Sequence, residues 1–166
     1  MKHTKISLKS GLYALQGVTV LTAADQLTKY LAVHYLKNSS DIALLPGIFE
    51  LSYLENRGAA WGIMKNMQWI FLILTVLALA AAAYFYMAAP AGRKYRSFRI
   101  LCVVFSAGAL GNALDRLFRG YVVDFFYLRL IHFPVFNVAD CFVTISLVLL
   151  LILYRNEDFS WLKKSS

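Results

Sequence analysis

Charged residues are scarce in this sequence of 166 residues. Asp, Glu, Lys and Arg make up only 16% of it, whereas hydrophobic residues make up 60%, and the mean hydropathy is +0.59. An ordinary soluble domain has about 25% charged residues, so this composition excludes that class. It indicates a small polytopic membrane protein that forms a single domain, with a bundle of helices in lipid as its core.

Acidic residues are the rarest of the charged ones. There are 9 Asp and Glu against 17 Lys and Arg, which gives a net charge of +8. The basic residues flank apolar runs and form no basic stripe, so we expect no binding to nucleic acid. Their positions instead indicate which membrane face each loop occupies.

Several catalytic motifs are also missing. The two cysteines, Cys102 and Cys141, form no CxxC pair, and the three histidines form no HExxH motif. The sequence contains neither a GxSxG nucleophile elbow nor a glycine-rich phosphate loop. We therefore expect no metal and no cofactor.

Four apolar runs are long enough to be membrane spans. Basic residues precede the first run, and the densest basic cluster, GRKYR, separates the second from the third. Because cytoplasmic loops are enriched in Lys and Arg, both chain ends are predicted to be cytoplasmic. The first run resembles a signal peptide, but its helical pattern continues to residue 35, which favours a retained helix. The predicted spans cover about 11–35, 67–89, 98–118 and 138–155.

The segment of about 36–66 is predicted to lie outside the membrane. Pro46-Gly47 is a turn signal, and approximate alternation over 49–54 predicts a short strand. Trp61 and Trp69 suit the membrane interface.

This topology brings the polar residues of the spans to one side. The end of span one, the end of span three and the start of span four all lie at the outer face, and so does the 36–66 segment with Asn56. The basic flanks alone were used to predict the orientation of the helices. The meeting of the polar residues at one face is therefore an independent observation. The polar residues at these ends are Asp25, Lys29, Asn112, Asp115, Arg116 and Asp140.

Ionisable groups at membrane depth are costly and indicate function. Asp124 and Asp140 lie in the stretch 108–140, joined by a connector that contains Pro134. Two carboxylates in one apolar site share a proton, so that one can accept a proton from water while the other polarises a carbonyl. The alternative is that each carboxylate caps a helix or forms an ion pair.

The remaining polar residues have two interpretations. Asp25 could pair with Lys29 or with Arg116, either as a helix-end salt bridge or to position a substrate backbone. Arg116 is expected to hold a carboxylate or carbonyl near the site, and the adjacent Asp115 is expected to brace the following loop. The Asn side chains can both donate and accept, which suits binding of an extended peptide.

Five stretches of this sequence resemble the lipoprotein signal peptidase family, also called signal peptidase II. They occur in order along nearly the whole chain, and together they are far more specific than any one alone. They are DQLTK at 25–29, NRGAAWG at 56–62, GNALDR at 111–116, VVDF at 122–125 and FPVFNVAD at 133–140.

The resemblance implies an aspartic endopeptidase of the bacterial inner membrane, with four transmembrane helices and a small extracytoplasmic β-cradle. The implied substrate is a prolipoprotein whose cysteine already carries diacylglycerol, cleaved just before that cysteine. The implied catalytic dyad is Asp124 and Asp140. The residues implied to bind substrate or support the site are Asp25, Lys29, Asn56, Gly58, Asn112, Asp115, Arg116, Asn137 and Ala139.

Further expectations follow from the same resemblance. The cyclic peptide globomycin is an implied inhibitor, and membrane lipids are implied partners. An apolar groove between the spans would take the lipid and the signal helix, and the outer segment would act as a lid. Nothing in the sequence requires more than a monomer.

Two other classes of function compete with the protease. Intramembrane Asp residues also serve proton- or ion-coupled transporters, but here the acids gather at one face and do not line a path. A non-catalytic membrane assembly protein, with the acids as structural ion pairs, is the third hypothesis.

Overall fold

The computed structural model describes residues 7–58, 67–90, 92–157, 159 and 161. Within these residues the chain forms four α-helices and one three-stranded sheet. Short 3-10 turns at Arg93–Tyr95 and Arg129–Ile131 follow α2 and β3. The elements are α1 Leu8–Tyr35, β1 Ile42–Leu45, β2 Phe49–Asn56, α2 Gln68–Ala88, α3 Arg96–Arg119, β3 Val122–Leu128 and α4 Val138–Tyr154.

Helix α3 lies at the centre of the bundle and packs against each of the other three helices. Glycines allow these close approaches. A Cβ on Gly108 would lie 2.5 Å from the carbonyl oxygen of Ala139 in α4, and one on Gly111 would clash with the Asp25 carboxylate of α1. The backbones therefore approach where side chains are smallest, a feature that is common in membrane helix pairs.

The strands form an antiparallel sheet in the order β1-β2-β3. The strand predicted over 49–54 is confirmed as β2. No strand was predicted where β3 lies, because Asp124 and Asp140 were interpreted only as joined by a connector. Strand β3 packs Val123 and Phe125 against Ala32 of α1 and Leu36 directly after it, so the sheet is fixed to the end of that helix.

The helix boundaries lie within a few residues of the four predicted spans. Two helical segments, Gln68–Ala88 and Arg93–Arg119, are long and apolar enough to cross a membrane. The apolar helix Val138–Tyr154 is shorter, and α1 carries the buried charges of Asp25 and Lys29. Membrane crossing by all four helices stays a prediction. Of the outer segment of about 36–66, which was predicted to act as a lid, residues 36–58 are described and include β1 and β2. Residues 59–66, with Trp61, lie outside the described residues, and the lid stays a prediction.

Candidate active site

Asp124 and Asp140 come from different elements and share one partner. Asp124 lies in the middle of β3 and Asp140 in the first turn of α4. The side-chain amide of Asn137 donates to Asp124 Oδ1 at 2.6 Å, and its backbone N–H donates to Asp140 Oδ2 at 3.0 Å. Asn137 and Asp124 are almost completely buried. One residue thus holds both carboxylates.

Asn137 and Asp140 also cap helix α4. The backbone N–H of Asp140 donates to Asn137 Oδ1 at 2.9 Å, which completes a reciprocal capping box. The alternative interpretation, in which the Asp140 carboxylate caps a helix, is therefore correct for its Oδ2 atom. Its Oδ1 has a separate role, since it accepts a 2.7 Å hydrogen bond from Asn112 Nδ2 on α3.

The carboxyl of Asp124 is deeply buried. Burial, together with the nearby charge of Asp140, raises its pKa to about 7, against the opposing effect of hydrogen bonds from Asn56 and Asn137. Asn56 Nδ2 donates to Asp124 Oδ2 at 2.9 Å. A carboxyl with such a pKa can hold or release a proton near neutral pH, as general acid–base catalysis requires.

A buried cluster of charges lies next to the pair. Lys29 Nζ is 2.9 Å from Asp25 Oδ2 and 3.3 Å from Asp115 Oδ2, and all three side chains are fully buried. Of the two pairings considered for Asp25, the structure has the one with Lys29. Lys29 also donates to Asn112 Oδ1 at 2.8 Å, so its three protons have three acceptors.

Each member of this cluster holds an element that carries one of the two acids. Asp25 Oδ1 accepts from the backbone N–H of Ala139 at 2.8 Å, beside Asp140. Asp115 Oδ2 accepts from Val123 N at 3.0 Å, beside Asp124. Through Asn112, Lys29 fixes the amide that donates to Asp140. The cluster therefore positions β3 and α4 relative to α1 and α3.

Gln26 belongs to this cluster, although it is absent from the predicted site residues. Its side-chain amide donates to Gly111 O at 3.1 Å and lies 3.3 Å from Asp25 Oδ2 and 3.4 Å from Asp115 Oδ1. The available signal was an uncharged polar residue beside Asp25 within a helix. Asn137 had been expected to bind substrate or support the site, and its place at the centre required the three-dimensional structure.

A cleft of about 420 Å³ opens beside the pair. Asp140 lines it directly, and so does Asn56, whose amide donates to Asp124. Asp124 itself is not among the lining residues, so a substrate in the cleft would contact Asp140 and Asn56. The lining residues are Asn56, Gly58, Arg116, Phe133, Pro134, Phe136, Asp140, Cys141, Thr144 and Ile145.

Arg116 also lines this cleft. It donates to the carbonyl oxygens of Asn112 at 3.4 Å and Gly58 at 3.5 Å, and its guanidinium lies 4.7 Å from the centre of the Phe71 ring. Its Nε is buried and has no acceptor among the described residues. A buried donor of this kind is costly, so an acceptor on a bound molecule would be stabilising.

Comparison with known proteins connects this geometry to one family. A family model described as signal peptidase (SPase) II matches residues 18–155. The lipoprotein signal peptidase of Streptococcus pyogenes serotype M1 is 36% identical over 153 residues, which cover 92% of this chain and 99% of that protein. Its counterpart in serotype M5 (strain Manfredo) is 35% identical over the same shares.

Two solved structures have the same fold. Both are described as bacterial membrane enzymes. The first, at 2.3 Å resolution, is 29% identical with a TM-score of 0.75 and covers 100% of this chain and 95% of that one. The second, at 1.9 Å, is 28% identical with a TM-score of 0.76 and covers 95% of this chain and 99% of that one.

Proposed function

The chain belongs to the signal peptidase II family, whose members cleave signal peptides from lipoproteins, and from that premise we propose that it is an aspartic endopeptidase with Asp124 and Asp140 as its dyad. The observation that carries this proposal is the arrangement of two carboxyls, the buried one of Asp124 and the partly buried one of Asp140, on either side of Asn137 at the edge of an open cleft. The substrate is a prolipoprotein with a diacylglyceryl-modified cysteine, cut just before that cysteine.

In this mechanism the two carboxyls share one proton. The ionised carboxylate takes a proton from a water molecule as its oxygen attacks the scissile carbonyl carbon. The protonated carboxyl donates to the carbonyl oxygen, where negative charge develops. When the tetrahedral intermediate collapses, the C–N bond breaks and the amine of the lipidated cysteine leaves with a proton from the dyad. Two carboxyls and one water supply every atom that the reaction needs.

Substrate binding involves other residues that line the cleft. Arg116 Nε, which has no acceptor among the described residues, is a donor for a substrate carbonyl, and Gly58 and Asn56 line the same cleft. The diacylglyceryl chains stay in the membrane, so the scissile bond lies at headgroup depth. Because the basic flanks predict that both chain ends are cytoplasmic, the site lies at the outer face of the bacterial cytoplasmic membrane. Globomycin would bind in the same cleft.

Two conservative substitutions test the dyad. Asp124→Asn and Asp140→Asn should each reduce cleavage of a diacylglyceryl-modified prolipoprotein to background, because each removes the shared proton site. Cleavage is measured as a gel shift in proteoliposomes. Asp41→Asn, which changes an exposed acid, is the matched control and should retain wild-type turnover. Full turnover by either dyad variant, with correct insertion and thermal stability, contradicts the assignment.

A further inference from the structure

The catalytic cleft and a second cavity meet at three side chains. The second cavity, of about 280 Å³, is lined by residues of α2, α3 and α4. The residues that line both cavities are Arg116, Asp140 and Thr144. A substrate that reaches from one cavity into the other therefore crosses this junction, where one carboxyl of the proposed dyad lies. Thr144 is the member of the junction whose role is so far unexplained.

The hydroxyl of Thr144 differs from most other hydroxyls of the helices. Those of Thr22, Thr75, Ser106 and Ser146 each donate to a backbone carbonyl oxygen, at 2.8 to 3.2 Å. Thr144 is exposed to the two cavities, and its hydroxyl makes no hydrogen bond within the described part of the chain. A hydroxyl at membrane depth is stabilised by a partner, so a bound molecule that supplies one is favoured there.

The neighbouring polar side chains already have partners. Asp140 accepts at both carboxyl oxygens, and the amides of Asn56 and Asn112 each donate and accept. Arg116 Nε resembles the Thr144 hydroxyl, since it has no acceptor in the described segments. The junction thus offers two groups, one on α3 and one on α4, for hydrogen bonds to a substrate.

The position of Thr144 relative to Asp140 fits an extended main chain. The two residues are four apart in α4, so their side chains lie on one face, about 6 Å apart along the helix axis. A carbonyl inside a helix already accepts from the N–H four residues on, so a carbonyl that accepts the dyad's proton belongs to an extended segment. In such a segment, carbonyls two residues apart point to the same edge, about 6.6 Å from each other.

We propose that the Thr144 hydroxyl donates a hydrogen bond to the substrate's main-chain carbonyl two residues before the carbonyl that is attacked. The inference rests on the proposed function and adds to it a residue that binds the substrate. The segment before the cleaved bond enters from the membrane, and α4 runs inward from Asp140, so both lie on the same side of the dyad. A bond to the main chain holds substrates of different sequence in the same register.

Two substitutions at this position separate the hydroxyl from its methyl group. Thr144→Val removes the hydroxyl and keeps the shape, and we expect kcat/KM to fall about five- to tenfold, mainly through KM, because the contact is remote from the reacting atoms. Thr144→Ser keeps the hydroxyl and should remain near wild type. Thr19→Val is the matched control, since Thr19 is an exposed residue of α1 that lines neither cavity. All three variants should unfold at the wild-type temperature.

The same assay can overturn the proposal. If Thr144→Val cleaves with the wild-type kcat/KM, the hydroxyl does not bind substrate. If Thr144→Ser loses as much as Thr144→Val, the contact is made by the methyl group. Cleavage of diacylglyceryl-modified prolipoprotein in proteoliposomes is the measurement for each variant.

A binding experiment identifies the substrate atom and is independent of cleavage. A dye-labelled diacylglyceryl peptide carries a ketomethylene group in place of the cleaved peptide bond, so it keeps the carbonyl but has no C–N bond to break. In a second peptide an alkene also replaces the peptide bond two before the cleaved one, which removes the carbonyl assigned to Thr144. In a third, the control, the alkene replaces the bond between these two, whose carbonyl faces the other edge.

Fluorescence anisotropy in nanodiscs gives the Kd of each peptide for the wild-type and Thr144→Val chains. We expect the substitution to weaken binding of the first and third peptides about fivefold and to leave the second unchanged. Equal weakening of all three peptides, or none of the first, overturns the assignment. Because no peptide can be cleaved, this result stands whether or not the wild-type chain cleaves a prolipoprotein, so the inference and the proposed function can fail separately.

Discussion

Asp124 and Asp140 each accept hydrogen bonds from two donors, yet their surroundings differ. Asp140 lies in the first turn of α4, where the positive end of the helix dipole favours its ionised form. Asp124 lies within a strand, and its donors are the neutral amides of Asn56 and Asn137. Such a difference between neighbouring carboxyls is what separates their roles in acid–base chemistry.

The pKa of Asp124 predicts the pH dependence of cleavage. If the working pair holds one proton, kcat/KM falls as pH rises through about 7, by about tenfold per pH unit, because the pair loses that proton. Asn56→Leu removes a hydrogen bond that lowers this pKa, so its alkaline limb should move to higher pH although its maximal activity is lower. Profiles from about pH 5 to 9 measure both. The Asp41→Asn profile should match wild type, and an unmoved or lower limb in Asn56→Leu contradicts the account.

Because Lys29 is a buried cation, we expect substitutions of Lys29 and Asp25 to have coupled effects on the free energy of unfolding. Lys29→Met leaves Asp25 and Asp115 buried without their cation, which costs about 3–5 kcal/mol. Adding Asp25→Asn should restore part of this loss, because it removes one of the uncompensated charges. Thermal unfolding in detergent of the wild type, the two single variants and the double variant gives the double-mutant cycle. Lys37→Met, which breaks the exposed pair with Glu55, should change little. Strict additivity of the two buried substitutions would contradict the coupling.

At the scale of elements, close helix packing depends on two glycines of α3. Gly111→Ala places a methyl group against the Asp25 carboxylate, so we expect α1 and α3 to separate and Ala139 N to lose its acceptor. The result is a loss of both stability and cleavage. Gly11→Ala is the control, since nothing lies within 4 Å of its Cβ; it should be neutral or slightly stabilising because Ala favours the helix. If Gly111→Ala unfolds at the wild-type temperature and cleaves at the wild-type rate, the close approach of α1 and α3 at this glycine is not needed for stability or cleavage.

The sequence predicted the helices better than the sheet, for a physical reason. The apolar runs and their basic flanks are local signals, so the helix boundaries were placed within a few residues. Strand β3 was missed because Val122, Val123, Asp124 and Phe125 are all buried, so the alternation that marks a half-buried strand is absent. Its aromatic and β-branched residues were the remaining signal.

For the site too, the sequence predicted one part of the arrangement and not the other. That the polar residues meet at one end followed from topology, but the choice of partner for Asp25 depended on how closely α1 and α3 approach at Gly111. The role of Asn137 depended on β3 and α4 meeting, which joins residues that no local pattern relates. Its spacing from Asp140 fits a capping box, and that was the one local sign of its position.

At the scale of the whole molecule, the acids cluster at one end of the bundle and the basic cluster lies at the other. Asp25 and Asp115 lie in the second halves of α1 and α3, and Asp140 lies in the first turn of α4. The segment Arg93–Tyr95, with its basic residues, joins α2 to α3 at the opposite end. This polarity fits a protein with its catalytic end outside and its basic end at the cytoplasmic surface.

Two matched cysteine variants test this orientation. Ser40 and Ser97 are both exposed, and they lie at opposite ends of the bundle. In a background in which Cys102 and Cys141 are replaced by Ala, Ser40→Cys should react with a membrane-impermeant maleimide in intact spheroplasts. Ser97→Cys should react only after the membrane is permeabilised, because the start of α3 and the basic loop before it are predicted to be cytoplasmic. Labelling of Ser97→Cys in intact spheroplasts would reverse the topology and would place the cleft on the cytoplasmic side. A lipoprotein translocated across the membrane could not then reach Asp140, so this experiment decides whether the proposed substrate has access to the site.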